Sequence, residues 1–152
     1  MKKTFTIFFL SLTLMSFFGC AGSTNRCEEK QLLKYSIILG SGGGFTGAYE
    51  GKMIDTLGNI YNWEGRTFIT ANKKVVDSLS QSQILKLNDF LKENSFENYS
   101  FKEVGNMTTF LTLSSSLEVK TFSWKESAIP DRVPAKIKEI YFLIINMLDS
   151  KK

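Results

Sequence analysis

Residues 39–51 read LGSGGGFTGAYEG, six glycines in thirteen positions. A glycine in a helix interior costs roughly 1 kcal/mol relative to alanine, so this density excludes a stable helix. It suits a chain reversal instead, because glycine reaches positive φ at low steric cost. A β-rich run, YSIIL at 35–39, precedes it, and AYEGKMID at 48–55 follows. The expectation is a hairpin with Phe45 and Thr46 at or near its tip. Two fates remain open for that tip. Gly42, Gly43, Gly44, Phe45 and Thr46 form an exposed docking edge for a partner, or Phe45 folds back into the core and the glycines only relieve crowding.

A nucleotide cradle is the sharper alternative. Gly42, Gly44 and Gly47 satisfy G-x-G-x-x-G after a strand-like run. That fingerprint works only when a helix follows at once, since its first N–H groups hold the pyrophosphate. Here Gly51 and Gly58 interrupt the following stretch, and no apolar stripe of helical period runs through it. The Walker pattern fails as well: Gly51-Lys52 is followed by Met53, and Thr46 stands where its first glycine belongs. No nucleotide and no other cofactor is expected.

Two helices and several strands can be read around this hairpin. Gly58-Asn59 is a turn signal between 48–55 and 60–63, and a short strand is expected at 67–70. Ser80 and Gln83 form a capping box, with Leu79 before the cap positioned to staple onto Ile84. Ile84, Leu85, Leu87, Phe90 and Leu91 continue as a helical stripe that fades at Asn94-Ser95. MTTFLTL at 107–113 alternates, Ser114 to Ser116 turn, and LEVKTFSW at 117–124 returns. The alternation slips near Phe122 and Trp124, which predicts a bulge or a change of buried face. Pro134 suits the first turn of a second helix, whose stripe is Ile137, Ile140, Tyr141, Ile144 and Leu148. The order ββ(β)αββα predicts an α+β domain: an antiparallel sheet of four or five strands with two helices on one face.

The first twenty residues, MKKTFTIFFLSLTLMSFFGC, read as an address rather than a fold element. Lys2 and Lys3 precede an uncharged apolar run of about fifteen residues, too short for a comfortable membrane span. Gly19-Cys20 at its end resembles a bacterial lipobox, which implies cleavage before Cys20 and acylation, palmitate included, of that cysteine. An ordinary signal peptide cut nearby, or an uncleaved anchor, fits the same residues. More than one acyl chain is what stable anchoring requires. The expected organisation is a signal peptide at 1–19, an anchor and tether at 20–34, and one globular domain at 35–150. The expected location is the cell envelope, at the outer membrane. Cleavage removes Lys2 and Lys3, so the net charge of +4 falls to +2. With so small a charge and no basic cluster interleaved with aromatics, nucleic acid is not an expected partner. With Cys20 acylated, Cys27 has no partner within the chain. Pairing between chains is open to it, though a monomer is expected.

The chain has no histidine. This excludes histidine-based triads and the usual zinc sites, and EF-hand spacing is absent, so no metal is expected. Glu50, Asp55, Glu64, Asp77 and Asp131 supply carboxylates. Acid–base catalysis would need two of them facing across a cleft, and scattered acids read more simply as solvated faces, so no enzyme is expected. Tyr49, Tyr61, Trp63 and Trp124 either line a sugar or peptide surface or form core and cross-strand pairs.

Residues 40–47 (GSGGGFTG), with Gly105-Asn106-Met107, Ser123-Trp124 and Val133-Pro134, resemble a group of small bacterial lipoproteins. More distantly, the layout is similar to the emfourin-like inhibitors of thermolysin-type metalloproteases, with a Gly-Gly-Phe segment at Gly43, Gly44 and Phe45, then a helix, a hairpin and a closing helix. That resemblance implies a protease as partner. The lipid anchor and the long 59–76 segment depart from that pattern. The functional expectation is a lipid-anchored envelope domain that binds a protein or peptide through 40–47. The alternative is a structural or stress-related envelope lipoprotein with no discrete ligand site.

Overall fold

The computed structural model describes residues 31–66, 69–96, 98–125 and 128–150. The leader at 1–19, Cys20 and Cys27 lie outside them. Six strands form one antiparallel sheet: β1 (Ser36–Gly43), β2 (Ala48–Ile54), β3 (Asn59–Arg66), β4 (Ile69–Ser78), β5 (Met107–Ser114) and β6 (Val119–Trp124). Two helices, α1 (Gln81–Glu93) and α2 (Ala135–Asp149), complete an α+β fold. The strand order is β4-β3-β2-β1-β5-β6. The expected short strand at 67–70 is longer and begins later among the described residues; Thr67 lies outside them. It is β4, which brings the sheet to six strands where four or five were expected, and it is an edge whose pairing with β3 shifts twice.

Each turn is held by the residues that announced it. Gly58, at φ 84°, closes the β2–β3 turn. Asp55 organises that turn, accepting from the N–H groups of Leu57 and Asn59 (both 2.9 Å), from Asn59 Nδ2 (2.8 Å) and from the Tyr61 hydroxyl (2.8 Å). The capping box forms: the Gln83 N–H donates to the Ser80 hydroxyl, and the Ser80 N–H to the Gln83 amide oxygen at 2.9 Å. Pro134 occupies the N-cap of α2 rather than its first turn. A proline N-cap leaves no side-chain acceptor for the first N–H groups.

The main core lies between one sheet face and both helices. Ile37, Leu39, Ile54, Ile60, Leu111, Leu113, Phe122 and Trp124 meet Ile84, Leu87 and Leu91 of α1 and Ile137, Ile140, Ile144 and Met147 of α2. Of the two expected outcomes near Phe122 and Trp124, the bulge is absent, since β5 and β6 pair without a register shift, and the change of buried face occurs: Leu117 and Val119 are exposed while Phe122 and Trp124 are buried. Phe122 and Trp124 both face the helices. Ser123, between them, is buried for another reason. The chain at 101–103 runs along the outer edge of β6, where the Glu103 N–H donates to the Ser123 carbonyl (2.9 Å) and the Ser123 N–H to the Phe101 carbonyl (3.0 Å). Arg132 clasps this segment through a two-point pairing with Glu103 at 2.9 and 2.7 Å.

Residues 31–34, expected within the tether, are docked. The Gln31 N–H donates to the Gln81 amide oxygen, the Leu33 N–H to the Thr56 carbonyl, and Leu33 is buried in the core. The described chain thus begins beside the start of α1 and the β2–β3 turn.

Candidate functional site

The glycine run has two structural jobs. Gly40 and Gly51 lie directly opposite each other on β1 and β2, and their outer neighbours in the same cross-strand row are Phe110 and Trp63. This row is on the face away from the helices, since it alternates with the core residues Leu39 and Leu111. With no side chains on the two central strands, the aromatic rings lie down over the backbone and meet at 5.9 Å. Both are 1% exposed although no helix covers them. The Trp63 indole N–H donates to the Leu39 carbonyl at 3.1 Å. A β-carbon on Gly40 would stand 2.4 Å from Trp63 and 2.7 Å from Phe110, so this glycine relieves crowding.

The tip does the opposite. Gly44-Phe45-Thr46-Gly47 is a β-turn closed by the Gly47 N–H on the Gly44 carbonyl (3.3 Å), with φ near 60° at both glycines. The Thr46 hydroxyl accepts from the Ala48 N–H at 3.3 Å. The Gly44 N–H donates to the Asn106 carbonyl, which fastens the tip to the start of β5. Phe45 stands out from this anchored turn with a relative exposure of 108%, and Met107 and Val104, on the neighbouring segment, are also exposed. The expected fold-back of Phe45 therefore does not occur. Gly42, Gly43, Gly44, Phe45 and Thr46 are brought together as the end of one hairpin.

β1 is eight residues long, and at about 3.3 Å per residue the tip lies roughly 25 Å from the end where residues 31–34 dock. Below the tip, Tyr141 and Ile145 of α2 come no closer than a shared cavity with Ser41, Glu50 and Thr109, and the helix-side face opens beyond them. Ala48, Glu50, Asn62, Glu64, Arg66 and Asn72 are exposed on the helix-side face. All of these but Asn62 line an open depression of about 820 Å³, together with Ser41, Tyr49 and Met107. One cross-strand row runs through it: Thr109, Ser41, Glu50, Glu64 and Asn72.

This row places two carboxylates side by side, with β-carbons about 5 Å apart by strand geometry. They rise from one floor into water rather than facing each other across a cleft, so nothing buries one of them as a general acid must be buried. The other candidate acids are elsewhere. Asp55 is in its turn, Asp77 is at the far end of β4, and Asp131 pairs with Lys138 before α2. Burial alone would raise the Asp55 carboxyl, but the hydrogen bonds from Asn59, Tyr61 and Leu57 outweigh it and hold the group below its ordinary range. Asp55 is thus a turn staple. The aromatic candidates do not form one surface either. Trp124 is in the helix-side core, Trp63 is buried on the opposite face, Tyr61 bonds to Asp55, and Tyr49 packs edge-on against Phe110 at 6.0 Å.

Among the described residues no group of three or more Cys, Asp or Glu is arranged to hold a metal ion. No described helix is long and apolar enough to cross a membrane. No protein-family model matches the chain, and no curated protein matches it.

Proposed function

We propose that this protein is a lipid-anchored envelope domain that captures a protein or peptide partner through its glycine-rich hairpin, residues 40–47. The observation that carries the reading is the exposure of Phe45 on a turn fixed at both ends. An isolated mobile phenylalanine would lose conformational entropy on docking. A backbone held by a β-turn, by Thr46 and by the bond to Asn106 has less freedom to lose, which lowers the cost of association. Exposed Met107, next to Gly44 of the same turn, enlarges the apolar contact.

The layout supports an anchor as well. Residues 31–34 dock at the end of the sheet opposite the tip, so a lipid on Cys20 would tether the domain by the end away from the hairpin. The emfourin-like resemblance makes a thermolysin-type metalloprotease the first partner to assay.

Pull-down from envelope extracts, with the same assay on Phe45→Ala, tests the reading. One reproducible stoichiometric partner is expected for the native chain, with capture lowered in the variant and an unchanged melting temperature. Equal capture by Phe45→Ala would remove the loop from the interaction. Absence of any reproducible partner would favour a structural envelope lipoprotein without a ligand site.

A further inference from the structure

Exposed leucines collect at the end of the sheet opposite Phe45. The β2–β3 turn carries Leu57, 47% exposed, and the β5–β6 turn carries Leu117, 95% exposed. Leu32, 53% exposed, lies in the chain that enters β1. The three segments are neighbours. Ile54, Ile37 and Leu113 share one cross-strand row at this end, and both turns begin just beyond it. The Leu33 N–H donates to the Thr56 carbonyl at 2.8 Å, which sets Leu32 beside the β2–β3 turn. The two turns are three strand spacings apart, about 14 Å. Neither tip needs a leucine to form its turn, where Gly, Asn, Asp, Ser and Pro are the favoured residues. Polar side chains already hold both: the Leu57 N–H donates to the Asp55 carboxylate at 2.9 Å, and the Leu117 N–H to the Ser115 hydroxyl at 3.2 Å. Each leucine thus stands two residues after the oxygen that fixes its backbone. The acids beside them are engaged within the fold, Asp55 in its turn and Glu118 with the Tyr35 hydroxyl at 2.7 Å.

We propose that this end of the domain rests on the bilayer that holds the Cys20 lipid, with Leu32, Leu57 and Leu117 inserted among the headgroups. The inference deepens the reading above and rests on its lipid anchor. Two observations select a bilayer as the occupant. The stretch from Cys20 joins the described fold at this same end, where the Gln31 N–H donates to the Gln81 amide oxygen at 3.0 Å. A chain spans at most about 3.5 Å per residue, so the eleven residues from Cys20 to Gln31 hold the leucines within about 40 Å of the lipid. The leucines are also separate tips on adjoining segments and do not line a groove. Such a shape encloses little of a protein partner but meets a planar layer at three points. Shallow insertion of apolar side chains is favourable in proportion to the apolar area they bury. A lipid alone leaves the domain free to turn about its link. Contact through the three leucines fixes the orientation and presents Phe45 to the side away from the bilayer.

The test uses the full chain isolated from cell membranes and reconstituted in phosphatidylcholine vesicles, with and without lipids brominated on the acyl chains near the headgroup. Leu57→Trp, Leu117→Trp and Phe45→Trp are read one at a time against Trp63 and Trp124, both buried. Brominated lipid should quench the added fluorescence in Leu57→Trp and Leu117→Trp several-fold more than in Phe45→Trp. Adding Leu32→Ser or Leu57→Ser to Leu117→Trp should each lower the ratio of docked to undocked chain roughly fivefold. The melting temperature in detergent should stay unchanged, because these side chains are exposed. An unchanged ratio in both double variants would overturn the proposal. A chain that floats with the vesicles but is quenched equally at all three positions would also overturn it and leave the lipid anchor standing. A chain that does not float with them would remove the anchor and the docking together. Quenching of Phe45→Trp alone would turn the domain over, and end both this proposal and the outward hairpin.

Discussion

At the scale of single residues, Gly40 and Asp55 show how local chemistry is fixed by what lies across the sheet. Alanine normally stabilises a strand relative to glycine by roughly 0.5–1 kcal/mol. At position 40 the order reverses, because the added methyl collides with both Trp63 and Phe110. Gly40→Ala should lower stability by about 1–3 kcal/mol, read by denaturant unfolding, with a change in the tryptophan fluorescence of Trp63. Asp55 gives a pH dependence whose sign follows from its depressed carboxyl. A group with a lowered folded value stabilises the protein above its unfolded value, near 3.8, and loses that contribution as pH falls through the folded value. The native chain should therefore lose stability below about pH 4. Asp55→Asn should flatten that part of the acid limb in a series of thermal melts. An acid limb equally steep in the variant would place the titrating group elsewhere.

At the scale of elements, α1 and the first hairpin are each specified by their own residues. Ser80→Ala removes one half of the capping box and should cost about 1 kcal/mol, seen as a lowered unfolding midpoint without loss of helix content in the folded state. The first hairpin combines a glycine floor with a protruding tip, and these are separate in effect. Substitution at the floor should change stability, whereas Phe45→Ala should change partner capture alone. The two edges of the sheet also differ. β6 is covered by 101–103, whereas β4 ends the sheet with Lys73, Lys74 and two register shifts, features that discourage further strand addition.

At the scale of the whole molecule, the placement of the helices decides which end of the sheet is free. The helices pack across the sheet near the β2–β3 turn and leave the hairpin end of the helix-side face bare. Residues 31–34 and the hairpin tip consequently lie at opposite ends, and the depression adjoins the tip. At alkaline pH a third effect operates over the whole fold. Burial raises the Tyr35 and Tyr141 hydroxyls, while the hydrogen bond to Asp55 raises Tyr61. Groups with raised folded values stabilise below about pH 10 and lose that contribution as pH rises further. Stability should be flat between the acid and alkaline limbs, as a melting-temperature profile would show.

Much of the fold was legible because it rests on short-range chemistry. The capping box, the Gly58 turn, the alternation of 107–113 and the stripe of the second helix each depend on residues a few positions apart. The hairpin at the glycine run was legible for the same reason. Even the Glu50–Glu64 pairing was within reach, since the Gly58 turn sets Ile54 opposite Ile60 and counting back four residues on each strand brings the two acids together. Other features were decided only by tertiary structure. The burial of Trp63 needs Gly40, Gly51 and Phe110 from three other strands, and the burial of Ser123 needs the segment at 101–103. The tip that carries Phe45 is fastened by the bond of Gly44 to Asn106, sixty-two positions away. Sequence determines what each segment can do by itself. Which side chains are covered is decided by partners distant along the chain, because burial is a property of the assembled surface and not of the residue.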